Sequence, residues 1–333
     1  MSTRNRAAYL PDVLRTLAAQ QCSCPFEVVV IDNASTDDTA AVVESWCRTD
    51  RRFRYGFEPR LGLSCGKNAG IRMARAPLLL FTDDDVMVEP QWIQSYLDLF
   101  ERLPTGAVIA GGPILPIPED LEGWPEWFTE AAKVDLPYLD HHDQRALHDW
   151  EWLWGANMAV PRPLFDRFGG WDENIGRKGT VRGTFEDTEF QERVKRADGS
   201  VWFCPAAVVH HRVPRRQITA RRISSSAFAR GRHQVWQSYV PVSRDVALAP
   251  RQNLAVWLGA LSLNLVRWAY WTLVFRGTGL ANSYERARHA AFVSGQSLGT
   301  LHLGRKSAGV TLAISRIAFK VRGLVLRLSP DAA

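Results

Sequence analysis

The chain is short of acidic side chains over its last third. Residues 212–333 carry three Asp/Glu against 19 Lys/Arg, a net of +16, whereas residues 1–211 carry 32 against 22, a net of −10. The overall +6 therefore averages an acidic front and a basic back, each suited to different surroundings. A basic region can face nucleic acid or anionic lipid. Zinc-finger spacing and a basic zipper are both absent, so nucleic acid is not an expected partner. Cysteine is sparse as well: five, at 22, 24, 47, 65 and 204, odd in number and irregular in spacing. CSC at 22–24 is not a metal-ligand spacing and no His cluster completes it, so reduced thiols in cytosolic surroundings are the simplest account. "MSTRNRAAYL" has no apolar run of the secretory kind, which points to the cytoplasmic side. No fixed-period repeat appears. Tryptophan is plentiful by contrast, with 13 residues, all but Trp46 after residue 90. Core packing, carbohydrate stacking and membrane interfaces all use it.

A chain of 333 residues holds one large or two ordinary domains. "FEVVVIDNAS" (26–35) is an apolar β-branched run ending in Asp32, Asn33 and Ser35, which reads as a buried strand and turn. "TAAVVESWC" then has helical spacing behind Asp37 and Asp38. "GLSCGKNAGIRMARA" (62–76) reads as a Gly-rich turn and short helix, "PLLLFTDDD" as the next strand, "PQWIQSYLDLFER" (90–102) as a helix with Pro90 near its first turn. "AVIAGG" (107–112) is a further strand. Strands alternating with helices predict a parallel α/β sheet whose ligands bind beyond the carboxyl ends of the strands. Asp32 and Asp83–Asp85 both lie at such ends and are expected to be neighbours. The Pro-, Trp- and acid-rich stretch 113–149 is long for a connection and reads as a lid.

Three adjacent carboxylates at a strand end repel one another unless a cation sits among them; a solvated turn is the plain alternative. Glu186 and Asp187 in "TFEDTEFQERVKRADG" either complement the dipole of the helix they open or form a second reactive pair. "VWFCPAAVVHHRVP" (201–214) delivers His210 and His211 on a strand pair or bent strand.

Taken together and in order, "VVVIDNASTDDT", "GLSCGKNAGIRMA", "FTDDDV", "GANMAVPRPLFDRFGGWDE" and "FEDTEFQERV" resemble the family 2 glycosyltransferases of the GT-A fold over residues 3–215. The resemblance implies a Rossmann-like, mostly parallel sheet with flanking helices in a domain 1–215. It implies an inverting transferase that takes sugar from a nucleotide-sugar donor with Mg²⁺ or Mn²⁺. A diphosphate cannot approach carboxylates directly, and a divalent ion bridges the two. On this basis Asp85 is the metal ligand, and His211, or failing it His210, supplies a nitrogen. Asp83 contacts ribose or metal-bound water, and Asp84, in the variable middle position, points away. Thr3, Asp32 and Lys67 are donor-nucleotide positions, Asp32 having a turn cap as its alternative. Asp187 is the catalytic base with Glu186 as partner carboxylate, since adjacent carboxylates raise one another's pKa. Asn157 and Trp171 are acceptor positions, Trp171 alternatively a buried structural ring. One departure stands out. Thr3, Asn5 and Arg6 match the tail of the family's opening motif, and the apolar strand before it is missing. Two strand edges and apolar surface are then expected to be exposed, and a start upstream of Met1 is the expectation.

Two other functions compete. A haloacid-dehalogenase-like phosphatase also uses an Asp pair after a strand, but it wants Thr or Val where Met87 stands and leaves the later motifs unexplained. A catalytically impaired transferase acting as a membrane-bound scaffold would suit the missing strand and basic tail, against which Asp85 and Asp187 are retained.

Residues 216–333 form a helical, basic extension. "LAVWLGALSLNLVRWAYWTLVF" (254–275) is long enough to cross about 30 Å of hydrocarbon, but Asn264 and Arg267 near its middle speak against a lipid-facing span. "VTLAISRIAFKVRGLVLRL" (310–328) interleaves Arg316, Lys320, Arg322 and Arg327 with apolar residues, the composition of a helix lying in a lipid surface. The expectation is a protein peripheral on the inner face of the cell membrane, bound to its anionic surface and acting on a glycan or lipid-linked acceptor.

Overall fold

The computed structural model describes residues 1–103, 106, 108–149, 151–176, 186–239, 261, 264–274 and 281–303. They fall into two compact units: 1–117 with 138–212, and 118–137 with 213–333. The segment Pro118–Pro137 thus belongs with the C-terminal unit, a division that the sequence reading at 215 does not draw.

The first unit opens with strand β1 (Ser2–Thr3) and helix α1 (Leu10–Ala18), followed by β2 (Val28–Asp32), α2 (Thr39–Thr49), β3 (Phe53–Phe57) and α3 (Leu63–Met73). Next come β4 (Leu78–Thr82), β5 (Val86–Val88), α4 (Trp92–Arg102), β6 (Val108–Gly111) and β7 (Ile114–Glu119). β8 (Arg145–Ala146), β9 (Asn157–Pro161), α5 (Arg162–Phe168), α6 (Glu186–Lys195), β10 (Ser200–Phe203) and β11 (Val209–Pro214) complete it. The apolar faces of α1 (Leu10, Val13, Leu14, Leu17) and α4 (Trp92, Tyr96, Leu99) recur at helical spacing and are buried. They pack with Val28 and Val30 of β2 and Val86 and Val88 of β5 in one core. A second core joins Phe81, Phe165, Trp171 and Phe190.

The α/β class with flanking helices is as expected, while the pairing is mixed rather than mostly parallel. β1, β2 and β3 are parallel, as are β6 and β10. β9 enters antiparallel between β4 and β6, and β11 runs antiparallel to β5. The reason lies in the connections. The long path through 113–149 brings the chain back at the end of the sheet where β6 stops, without crossing over, so the strand it feeds runs against β6 and against β4, which points the same way as β6. That path holds β7, a 3-10 turn at Glu130–Asp135 and β8.

β1 is only two residues long, pairing Ser2 with Ile31 and Thr3 with Asp32, and the Met1 ammonium continues the ladder to the Val29 carbonyl at 2.9 Å. Beside it lies an apolar cavity of about 210 Å³ bounded by β2, β4 and the facing sides of α3 and α4, with Phe26, Ile71, Leu79 and Ile93 among its walls. This cleft lies between β2 and β4, where the sequence reading expects uncovered strand edges and apolar surface; β1 reaches only Ile31 and Asp32, and β4 is an edge strand.

In the second unit, α7 (Ala220–Tyr239), a helix over 264–274 (α8) and α9 (Ala281–Leu303) pack around Phe228, Leu265, Trp268 and Ala291. No helix among the described residues is long and apolar enough to cross a membrane. The segment 310–328 and most of 254–263 lie outside the described residues.

Candidate active site

Strand ends assemble the first cluster. Thr3 pairs with Asp32 in the β1–β2 ladder, and its hydroxyl donates to Asp84 Oδ2 at 2.7 Å, so the carboxyl ends of β2 and β4 meet through Thr3. Asp84 also lies 3.4 Å from Arg6 Nε and is thereby turned toward β1. Burial pushes its carboxyl up to about 7, with Asp85 adding repulsion.

Asp85 shares the Arg6 guanidinium with Asp84, at 3.4 Å, and together with Asp83 lies by His211. The antiparallel register of β11 on β5 sets His211 against Val86, and the Arg212 N–H donates to the Asp85 carbonyl at 2.9 Å. Consecutive side chains of a strand point to opposite faces. His211 therefore comes within 3.4 Å of Asp85 Oδ1, while His210 lies 2.6 Å from Glu89 on the other face. Asp83, Asp85 and His211 offer one ligand atom each, all within 4.8 Å of one another. His211 Nδ1–H donates to the Arg212 carbonyl at 3.1 Å, so Nε2 is the nitrogen directed at the carboxylates. Two oxygens and one imidazole nitrogen make a donor set suited to a small divalent ion. Burial raises the Asp83 pKa, and the charge of Lys67 opposes that rise. The residues fit the metal that their pattern implies.

The second cluster forms where α6 begins. Asp187 Oδ1 accepts from Lys67 Nζ at 2.7 Å and its Oδ2 from the Gly155 N–H at 2.7 Å, while Glu186 lies 3.7 Å from the same ammonium. Lys67 also sits 4.9 Å over the Trp171 ring. Burial works against its charge, yet Asp187, Asp83 and Glu186 together hold its pKa above the usual lysine value. Glu186 is pushed up, by burial first and by Asp187 next, and its Oε2 is buried with no partner among the described residues. Side-chain exposure separates the three: Lys67 5%, Glu186 7%, Asp187 22%. Asp187 alone reaches outward.

Several sequence expectations change here. Asn157 is fully buried; its Oδ1 accepts from Trp92 Nε1 (2.7 Å) and Tyr96 OH (2.6 Å), and its Nδ2 donates to the Pro113 and Ala207 carbonyls (2.9 and 2.7 Å). All four capacities of the amide are used, so it clamps β9 to α4 and the 113 and 207 turns rather than meeting an acceptor. Trp171 is 2% exposed and packs edge-on to Phe81, leaving no face for a sugar. Lys67 joins Asp187 instead of an open nucleotide cleft. Asp32 is buried, accepting from Ser35 N–H at 2.8 Å and Tyr55 OH at 3.2 Å, so the turn-capping alternative is realised. Tyr55 is pushed up to about 12, by burial and then by Asp32. Sequence reasoning missed Gly155, whose N–H orients Asp187 and where an added Cβ would strike both Asp187 and Lys67. The small residues of "WGAN" were the only signal.

Residues 1–165 match the family described as Glycosyl transferase family 2. This part of the chain belongs to that family. The protein is 36% identical over 196 residues to validoxylamine A glucosyltransferase of Streptomyces hygroscopicus subsp. jinggangensis, covering 52% of this chain and 46% of that protein. It is 26% identical over 157 residues to the glucosyl-dolichyl phosphate glucuronosyltransferase of Haloferax volcanii, covering 46% and 49%. The chain thus spans about half the length of the curated relatives it matches. Among solved structures it is similar to a mannosyltransferase from Pyrobaculum calidifontis in complex with GDP-Man and Mn²⁺, at 17% identity and TM-score 0.49, over 98% of this chain and 82% of that one.

Proposed function

We propose that the protein transfers a sugar from a nucleotide-sugar donor to a hydroxyl of a glycan or lipid-linked acceptor, with inversion at the anomeric carbon, in polysaccharide or glycolipid synthesis. One observation carries the reading: the buried Lys67 ammonium lies within electrostatic reach of both acidic clusters, bonded to Asp187 and opposing the rise that burial gives the Asp83 pKa. That arrangement suits a reaction that joins a diphosphate leaving group to a proton acceptor across one small site.

In the proposed reaction the acceptor oxygen bonds to the anomeric carbon as the bond from that carbon to the diphosphate breaks. Asp187 takes the hydroxyl proton. It suits that role because it is the most exposed member of its cluster and is aimed by the Lys67 ammonium and the Gly155 N–H. Glu186, kept neutral more easily by its burial, limits the negative charge beside the base. Asp83, Asp85 and His211 would hold Mg²⁺ or Mn²⁺, which when bound supplies positive charge against the diphosphate. Lys67 adds a fixed positive charge between the two clusters. We also place the protein, as part of this proposal, at the inner surface of the cell membrane, on the strength of the +16 over residues 212–333.

A screen of nucleotide-sugars for Mn²⁺-dependent hydrolysis and transfer tests the reading. The expected outcome is turnover with one or a few donors, reduced about 10²–10⁴-fold in Asp187→Asn. Turnover with no donor at any metal concentration would instead support a scaffold, and unchanged transfer by Asp187→Asn would remove the base from the mechanism.

A further inference from the structure

We propose that the outer face of α8, carrying Val266, Tyr270 and Leu273 with Arg267 and Arg286 beside it, docks on an anionic lipid surface. The proposal deepens the membrane part of the reading above and depends on it only for that setting. The helix has two apolar sides. Leu265, Trp268 and Thr272 recur at helical spacing and are buried inside the second unit. Val266, Tyr270 and Leu273 recur at the same spacing on the outside and are 65%, 57% and 49% exposed. Among the described residues seven large hydrophobics are exposed, and three of them fall in this one line. Single exposed apolar side chains are ordinary on a soluble surface, whereas an aligned set marks a contact face.

The chemistry around the line selects its occupant. Arg267 is exposed on the same helix, and the exposed Arg286 of α9 lies 4.4 Å over the Trp271 ring. Asn264, Arg267, Trp271, Arg286 and His289 line a cleft next to the line, together with Arg288. The Arg288 charge is directed inward, to Asp135 at 2.7 Å and Glu285 at 2.8 Å. An apolar line with a tyrosine in it and arginines along its border has the composition of a helix lying at the headgroup level of a bilayer. A second copy of the chain would bring its own Arg267 and Arg286 to the same face, so like-charge repulsion disfavours it. Anionic headgroups bring the complementary sign.

The test is flotation of the full chain with vesicles of phosphatidylcholine alone and of phosphatidylcholine mixed with phosphatidylglycerol. Three proteins are compared: the parent, Val266→Ser/Tyr270→Ser/Leu273→Ser, and Arg267→Glu/Arg286→Glu. All substituted positions are exposed or at the cleft rim, and thermal melts check that each variant is folded. The parent is expected to float with the anionic vesicles and to be released by salt. Each variant is expected to bind about tenfold more weakly or less. Equal flotation of parent and both variants would overturn the proposal, as would flotation with neither vesicle. Concentration-dependent dimerisation lost in the serine variant, without vesicle binding, would assign the face to a second copy instead. Donor hydrolysis in solution, measured on the same proteins, is expected to be unchanged. Its absence in all three would count against the transferase reading and leave the vesicle comparison intact.

Discussion

At the start of α6 a lysine has been folded in between two carboxylates; at the end of β4 three carboxylates face an imidazole and an arginine. Both clusters are acidic and largely buried, but they resolve their repulsion differently. Lys67 reaches Asp187 and Glu186 from a helix 120 residues away in sequence and is itself nearly inaccessible. Its charge is permanent, so the pair is preorganised and Asp187 is held in one orientation. Around Asp83 and Asp85 the positive charge is less direct: Lys67 acts on Asp83 without bonding to it, Arg6 touches Asp85 at 3.4 Å, and His211 turns its Nε2 to Asp85 at 3.4 Å. A cluster of that kind gains most from a small cation of high charge. The difference teaches that residue type alone does not set a carboxylate's task; what the fold brings opposite it does.

The sharpest way to break this comparison is at Gly155. A Cβ there would push Asp187 off the Gly155 N–H and crowd Lys67. Gly155→Ala is expected to lower transfer about 10²-fold, through misplacement of the base, while metal binding at Asp83 and Asp85 stays as it was. Loss of both together, read by Mn²⁺ titration alongside rates, would mean that the two clusters are one unit. Asn157 supplies a contrast of a different kind. Asn157→Ala removes the acceptor of two buried donors and the amide partner of two carbonyls, of which Pro113 keeps the Val209 N–H, and is expected to cost about 2–4 kcal/mol in denaturant unfolding. The Michaelis constant for acceptor is expected to be unchanged in the folded fraction; a raised value with full stability would restore its place at the acceptor.

A smaller effect sharpens the point about fixed partners. Glu58 is bonded through both oxygens to Arg60, and that guanidinium holds its pKa down from 4.5 to about 2, with help from Arg72. A carboxylate depressed by folding contributes stability above its unfolded value, and that contribution fades as pH falls through the folded one. Glu58→Gln is therefore expected to melt below the parent at neutral pH, with the gap closing between about 4.5 and 2. A gap that is independent of pH would show packing, not charge, to be the cause.

Much of the site was legible wherever a motif and a strand end coincide. The run "LLLFTDDD" announced β4 and its carboxylates, and strand alternation in "VVHHRVP" allowed one histidine, but not both, to reach them. What was not legible depends on distant partners. Nothing local to Lys67 distinguishes a lysine that meets phosphate from one that meets Asp187, because the choice is made by where α6 lands. Asn157 and Trp171 read as acceptor contacts since their motif is shared with a reactive region; their full hydrogen bonding and packing come from α4, the 113 and 207 turns and Phe81. The opening of the β9 segment likewise hid Gly155, whose contribution is a backbone N–H and a missing side chain. The stretch 113–149 reads as a lid on composition, but within it Pro118–Pro137 belongs to the second unit. Its Ala132 and Leu136 pack instead with Ile223 and Tyr284 of the second unit, and Asp135 holds Arg288.

Mn²⁺ titration of three purified proteins, the parent, Asp85→Asn and Asp187→Asn, with the nucleoside diphosphate of the identified donor present, tests the division between the clusters most directly. The parent and Asp187→Asn are expected to bind one ion with similar affinity, while Asp85→Asn binds at least about tenfold more weakly. Equal affinity in all three, or an equal loss in both variants, would contradict it.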